Sequence, residues 1–225
     1  MITTLLALLV TLLPVQAAQN LPHAFPREGA KQLIDNERVT VWEIKLEKGK
    51  QTGMHRHRYD MVGVDLADAT VKNTNATGLA NNATLRKGRV GFSQKGLAHN
   101  DEGTSDTPRH AILIDLKDVV IPAIPNSSGY VEAFPREGAK RLIDNARVTV
   151  WDVSFEVGKP TVTHFHSKDV VVVYLGNAET SSTTPDGKTT VSTVAYGQVK
   201  FNPRNRTHSE LLVKGTHRVI AVELK

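Results

Sequence analysis

The chain has 225 residues, 40% of them apolar, and no cysteine. That is enough apolar material for one large or two small packed domains, and it rules out disulfides, thiolate catalysis and thiolate-bound zinc, so any metal must rest on nitrogen and oxygen ligands. The formal charge of +5 comes from Lys and Arg scattered among acids, without the run or stripe that marks a nucleic-acid footprint, and no nucleic-acid partner is expected.

In chain order, the first 17 residues, MITTLLALLVTLLPVQA, hold an apolar stretch too short to cross a bilayer comfortably, followed by small residues that suit signal peptidase. The expectation is a secretory signal over 1–17, a periplasmic or secreted mature chain and no membrane contact once the signal is gone. A buried or interfacial N-terminal helix is the alternative, since no Lys or Arg precedes the apolar part.

From residue 24 the sequence AFPREGAKQLIDNERVTVWEIKLEKGK runs to 50, and it returns at 133–159 as AFPREGAKRLIDNARVTVWDVSFEVGK, identical at 20 of 27 positions with an offset of 109. Two copies of this length are too few and too long for a solenoid, so each is read as a complete small domain, 18–125 and 126–225. The boundary falls in DVVIPAIPNSSGY, 118–130, where two prolines and an Asn-Ser-Ser-Gly cluster punctuate the chain.

Each copy has the pattern of short strands. Apolar positions alternate at Val39 and Val41 and then change phase to Trp42, Ile44 and Leu46, as do Val148, Val150, Trp151, Val153 and Phe155. Alternation with a phase slip predicts a strand with a bulge or bend. Further short runs separated by Gly, Asn, Asp and Pro follow, and no long segment has helical spacing. The fold class expected is all-β, each half a sandwich or barrel of jelly-roll type, because closure disposes of sheet edges.

Six of nine histidines take equivalent places in the two copies: His55, His57 and His99, then His164, His166 and His208. Residues i and i+2 of a strand share a face, so each His-x-His pair aims two imidazoles to one side, and a histidine from another strand could complete a facial set around one ion. GRVGFSQKGLAH (88–99) and GQVKFNPRNRTH (197–208) agree at four of twelve places, one of them the histidine. A shared structural role, with the imidazoles hydrogen-bonded in the core, is the alternative. His23, His110 and His217 lack this geometry and are read as structural or surface residues, and Tyr59 and Lys168 as solvated.

GKQTGMHRH and GKPTVTHFH resemble the first motif of the cupin superfamily, Gly, five residues, His-x-His, and GQVKFNPRNRTH resembles the second, Gly, five residues, Pro, one, usually Gly, two, His. The resemblance covers both repeats. It implies a bicupin of two tandem jelly-roll β-barrels, with both histidine sets carried over as metal ligands, and the duplication standing in for a homodimer by setting two barrels back to back. The chain is then a monomer of two barrels or a homo-oligomer of such chains.

Departures from the family pattern matter here. The usual glutamate four residues after the second histidine is Met61 in one copy and Val170 in the other, with Asp60 and Asp169 one place early. Gln94 replaces the motif proline in the first copy, and the asparagine after the last histidine is replaced by Gly103 and Leu212. Sites of three histidines are favoured over histidines plus Asp60 or Asp169, because aspartate is one methylene shorter and strand alternation turns it from the histidine face. Three neutral imidazoles leave a divalent iron, copper, manganese or zinc ion its full charge and open positions, which favours an anionic chelating small molecule. By resemblance, the expected function is a metal-dependent oxidoreductase, dioxygenase-like, on a small organic or sugar-derived molecule. A non-catalytic binding module and a sugar isomerase or lyase are the alternatives.

Overall fold

A computed structural model describes residues 20–225; the signal-peptide reading lies outside the described residues. These residues form 19 strands and no helix. The first half contains β1 (Ala30–Asp35), β2 (Val39–Leu46), β3 (His55–Arg56), β4 (Asp60–Asp65), β5 (Ala69–Asn75), β6 (Ala80–Leu85), β7 (Val90–Ser93), β8 (Ala98–Gly103) and β9 (Arg109–Leu116). The second half contains β10 (Val131–Glu132), β11 (Ala139–Asp144), β12 (Val148–Ser154), β13 (His164–His166), β14 (Val170–Tyr174), β15 (Ala178–Thr183), β16 (Thr189–Val194), β17 (Val199–Asn202), β18 (Arg206–Gly215) and β19 (Arg218–Leu224).

Each half is a pair of sheets: β1-β2-β9-β4-β7 with β3-β8-β5-β6, and β11-β12-β19-β14-β17 with β10-β13-β18-β15-β16. No sheet is shared between the halves. The strand pairing is antiparallel except at β10–β13, whose counterpart in the first half is a single parallel bridge between His23 and Arg56.

The apolar phase change in β2 has a different cause from the bulge expected. β2 pairs with β9 in unbroken register from Val39 opposite Leu116 to Leu46 opposite Arg109. Both faces of its first part are buried: Val39 and Val41 pack against the other half, whereas Trp42 and Ile44 fill their own barrel with Phe25 and Leu113. A strand buried on both sides loses the two-residue alternation. The irregularity sits next door, between Gln32 and Ile34 of β1, and again between Arg141 and Ile143 of β11.

The two large sheets meet face to face. Val39, Val41, Val62, Val64, Ile112 and Ile114 form one apolar cluster with Val148, Val150, Val171, Val173, Ile220 and Val222 of the second half. Each such side chain removed from water contributes about 1.5–3 kcal/mol. Two ion pairs related by the repeat offset flank the seam: Arg38 to Asp169 at 2.8 Å and Arg147 to Asp60 at 3.4 Å. Arg38 also donates to the Lys225 carbonyl, and Arg147 to the Leu116 and Lys117 carbonyls.

The side chains of Arg38 and Asp169 are only 4% and 8% exposed. Arg38→Ala, which strands a buried carboxylate, should cost about 3–5 kcal/mol. Arg147→Ala, at the longer and more open pair, should cost less; urea unfolding midpoints measure both. Trp42 Nε1–H donates to Asp115 in the first barrel at 3.2 Å, and Asp115, 1% exposed, is pushed up to about 6 by burial. Its pKa is raised in the folded state, so its contribution is most favourable below about pH 4 and is lost as pH rises through 6. Asp115→Asn keeps the indole acceptor and cannot ionise. The stability difference between variant and wild type should therefore move in the variant's favour by about 2.5 kcal/mol from pH 4 to pH 8, read from urea unfolding at each pH; His23, 3.9 Å from Asp115, is common to both proteins.

Candidate metal centres

The six repeated histidines come together as two sets of three, each on the inner face of a small sheet. His55 and His57 lie at and just beyond the end of β3, and His55 stands directly opposite His99 on β8. His164 and His166 share β13, and His164 stands opposite His208 on β18. A direct cross-strand neighbour plus an i+2 neighbour therefore brings three imidazoles to one point. All six are buried, and in each set the candidate ligand nitrogens lie within 4.8 Å of one another.

The sharp turn before the last histidine is made differently in each half. Gly96 and Asn205 both have positive φ, 87° and 64°. Asn is a tolerated substitute for glycine in this region, so the motif survives loss of the glycine in the second copy.

The hydrogen bonds fix which ring nitrogen faces inward. His55 Nδ1–H donates to the Gly53 carbonyl and His164 Nδ1–H to the Val162 carbonyl, each at 2.9 Å. This leaves Nε2 with its lone pair free for an ion, the arrangement expected of a ligating histidine. His57 Nε2 faces His99 Nε2 at 2.9 Å, and His166 Nε2 faces His208 Nε2 at 3.0 Å. One ring of each pair can donate to the other as its Nε2–H tautomer; with both Nε2 atoms deprotonated, the spacing suits adjacent ligands of one cation on bonds of about 2.1 Å. Burial lowers His55 to about 4, His57 to about 3, His166 to about 2 and His208 to about 4, and lowers His164 as well. These five rings are therefore neutral at physiological pH, as metal ligands must be. Both sets fit a divalent metal ion.

Asp60 and Asp169 are not part of either cluster. Both are turned into the inter-half ion pairs, and each also accepts a backbone N–H, from Lys95 and Arg204 respectively. They sit on or beside β4 and β14, strands of the large sheet, which carries them away from the histidines.

Around the two sets the surroundings differ. His99 Nδ1 lies 3.2 Å from Asp101, which also accepts from Asn73 at 2.7 Å and from Arg109 at 2.7 Å. Burial alone would raise the Asp101 carboxyl, but the His99 hydrogen bond and the Arg109 charge hold it well below the usual carboxylate range. In the second half Ser182 meets His208 Nδ1 at 2.7 Å, and the place of Asp101 is taken by Glu210. Glu210 accepts from Arg136 at 3.0 Å; against the upward push of burial, that charge draws it down to about 2.

A cavity of about 40 Å³ lies inside the second barrel, lined by His166, Arg136, Arg206, Glu210, Tyr174 and His217 among others. His217, expected as a structural or surface residue, is buried with its ring 4.4 Å from Phe155 and 5.6 Å from Tyr174. Arg136, Arg206 and Glu210 carried no sequence signal; Arg136 lies in the repeated AFPREGAK segment, where its repetition as Arg27 was the one available hint. Lys168, expected to be solvated, lies 3.8 Å from Glu223, and Tyr59 packs its ring edge against His23.

No protein-family model matches the chain. It is 37% identical over 67 residues to the beta-alanine degradation protein BauB of Pseudomonas aeruginosa, a match covering 30% of this chain and 70% of that protein. Among solved structures, a cupin 2 conserved barrel domain protein from Leptotrichia buccalis superposes with a TM-score of 0.56 at 14% identity, covering 87% of this chain and 88% of that one. Oxalate decarboxylase of Bacillus subtilis, described as having Mn(II) centres, superposes with a TM-score of 0.57 at 14% identity over 84% of this chain and 69% of that one. At that identity the likeness is one of fold. Two jelly-roll barrels in one chain, each with a His-x-His and a third histidine converging inside it, give this protein the cupin fold in tandem, and its match to BauB, at 37% identity over 70% of that protein, places it in the same family as that protein.

Proposed function

We propose that the chain is a metal-dependent oxidoreductase of dioxygenase type that acts on a small organic anion at the His164, His166 and His208 site. The observation that carries this reading is the second barrel's arrangement: three neutral imidazoles beside a small cavity also lined by two arginines. A redox-capable iron, copper or manganese ion held there would supply Lewis acidity and reactivity toward oxygen. The chain's own part is to orient the imidazoles through the Val162 carbonyl and Ser182, to keep them neutral by burial, and to present positive charge to an anion. The relative named for beta-alanine degradation is linked by that name to a small amino acid, whose carboxylate end is of the kind this site would hold. The first barrel holds the same three donors, and we read it as a second metal position. The apolar run at 1–17 supports action outside the cytoplasm, with a mature chain beginning at Ala18, which N-terminal sequencing of the processed protein checks.

Metal-stripped protein reloaded with iron, copper, manganese or zinc should hold about one ion per intact histidine set. His55→Ala and His164→Ala should each remove one of the two, as measured by elemental analysis. Oxygen consumption on a panel of carboxylates, diketones, flavonols and sugars should appear with a redox-active metal, vanish in His164→Ala and persist in His55→Ala. Background consumption with iron, copper and manganese alike would leave a binding module as the better reading.

A further inference from the structure

Resting on the reading just given, we infer that Arg136 is the substrate-recognition residue of the second barrel and that its ligand is a carboxylic acid with an apolar substituent, the carboxylate held by Arg136 and the substituent lying in the groove outside it.

Arg136 stands where two spaces meet. On its inner side is the cavity of about 40 Å³ that reaches His166; on its outer side is a groove of about 310 Å³, a size typical of small-ligand sites. Val153 and Phe155 line both. The inner space has room for a carboxylate and little more. The outer groove is walled by Val153, Phe155, Pro160 and Val162. Its two carboxylates, Glu137 and Glu156, share Lys159 at 2.8 and 3.9 Å, so the groove's charges balance only with Arg136 included. The polar group facing both spaces is the guanidinium.

That guanidinium is built to be held in place yet not used up. It lies over the rings of Phe134 and Phe155, 5.0 and 5.3 Å from their centroids, and its side chain is only 10% exposed. Nη2 donates to Glu210 at 3.0 Å, and Nη1 lies 3.0 Å from His164 Nε2, the atom available to an ion. Nε is buried without a hydrogen-bond partner. Once His164 Nε2 binds an ion it can no longer accept from Nη1, and two positive charges then share the single carboxylate of Glu210, which lies 3.0 Å from Nη2 and 3.9 Å from His164 Nε2. An anion between them relieves the repulsion and satisfies the freed N–H groups, and the planar fork of arginine matches the two oxygens of a carboxylate. Glu210 keeps the fork from turning away. The first barrel is arranged otherwise, because Asp101, the residue equivalent to Glu210, is held by Arg109 rather than by Arg27, the residue equivalent to Arg136.

The test uses zinc-loaded full-length protein, so that binding is read without turnover, and titrates 3-phenylpropionate, 3-phenylpropanol and acetate by calorimetry. Wild type should bind 3-phenylpropionate more tightly than either partial probe. Arg136→Met, which leaves the Glu210 carboxylate without its partner, should lower the melting temperature yet retain zinc, weaken 3-phenylpropionate by about tenfold or more, the loss expected for a charged hydrogen bond, and leave 3-phenylpropanol unchanged. Val162→Asp, at a side chain 67% exposed and so safe for folding, should weaken 3-phenylpropionate and leave acetate unchanged. Undiminished 3-phenylpropionate affinity in Arg136→Met, or in Val162→Asp, would overturn the inference, as would a wild type that prefers the alcohol. Oxygen consumption is a separate readout: its absence in protein that binds the acid through Arg136 counts against the oxidoreductase reading alone.

Discussion

The face-to-face packing of the two large sheets is the constraint from which the remaining structure follows. A sheet that closes a barrel must bury one face; here the opposite face is apolar as well, and its valines and isoleucines are removed from water only by the other half. This makes the strands β2, β4 and β9, and their counterparts β12, β14 and β19, apolar on both sides. Charged groups are admitted at the seam's margin where they can be paired, and the crossed pairs Arg38 to Asp169 and Arg147 to Asp60 occupy those places. The two aspartates that stand near the histidines in sequence are therefore committed to holding the halves together, and the histidine sets are left with nitrogen donors alone.

The large sheets serve as a rigid back, and the small sheets carry the chemistry. Direct cross-strand pairing of His55 with His99 and of His164 with His208 needs no long side chain and no loop to bring the donors together. Burial has two consequences at these points. It keeps His55, His57, His164, His166 and His208 neutral, and it makes each additional hydrogen bond to an Nδ1–H decisive for which nitrogen faces the ion. The residues behind the last histidine then diverge: an anionic Asp101 in the first barrel, a neutral Ser182 hydroxyl in the second. A carboxylate behind the ring makes the imidazole a stronger donor, whereas a hydroxyl leaves more of the ion's charge for an exogenous ligand.

Much of this was legible in the sequence because it depends on short-range periodicity. The duplication, the strand-rich composition and the six histidines follow from spacing alone, and the His-x-His geometry follows from strand pleat. What sequence spacing could not show depends on register between distant strands. The phase change in β2 is a local irregularity in a one-dimensional reading and a second buried face in three dimensions. The same limit hid His217. Between β8 and β9 the first half has one more residue than the corresponding stretch of the second, so the offset of 109 that aligns the histidines becomes 108 afterwards, as the pairings of Trp42 with Leu113 and of Trp151 with Ala221 show. His217 is therefore the counterpart of Arg109, whereas the constant offset read from the repeat sets it against Pro108 and conceals the relation.

Arg109 in one half and His217 at the equivalent place in the other separate the two sites electrostatically. In the first barrel Arg109 reaches Asp101 and closes an ion pair behind His99. In the second, a neutral histidine at the equivalent place gives Glu210 no such partner, and the carboxylate turns instead to Arg136 across the barrel mouth. Charge is thus distributed in opposite ways: spent behind the ligands in one half, arrayed in front of them in the other. A duplicated fold can keep both donor sets and an arginine beside each, Arg27 and Arg136, and still engage those arginines differently, because Arg109 holds the first-half carboxylate whereas the second-half carboxylate turns to Arg136.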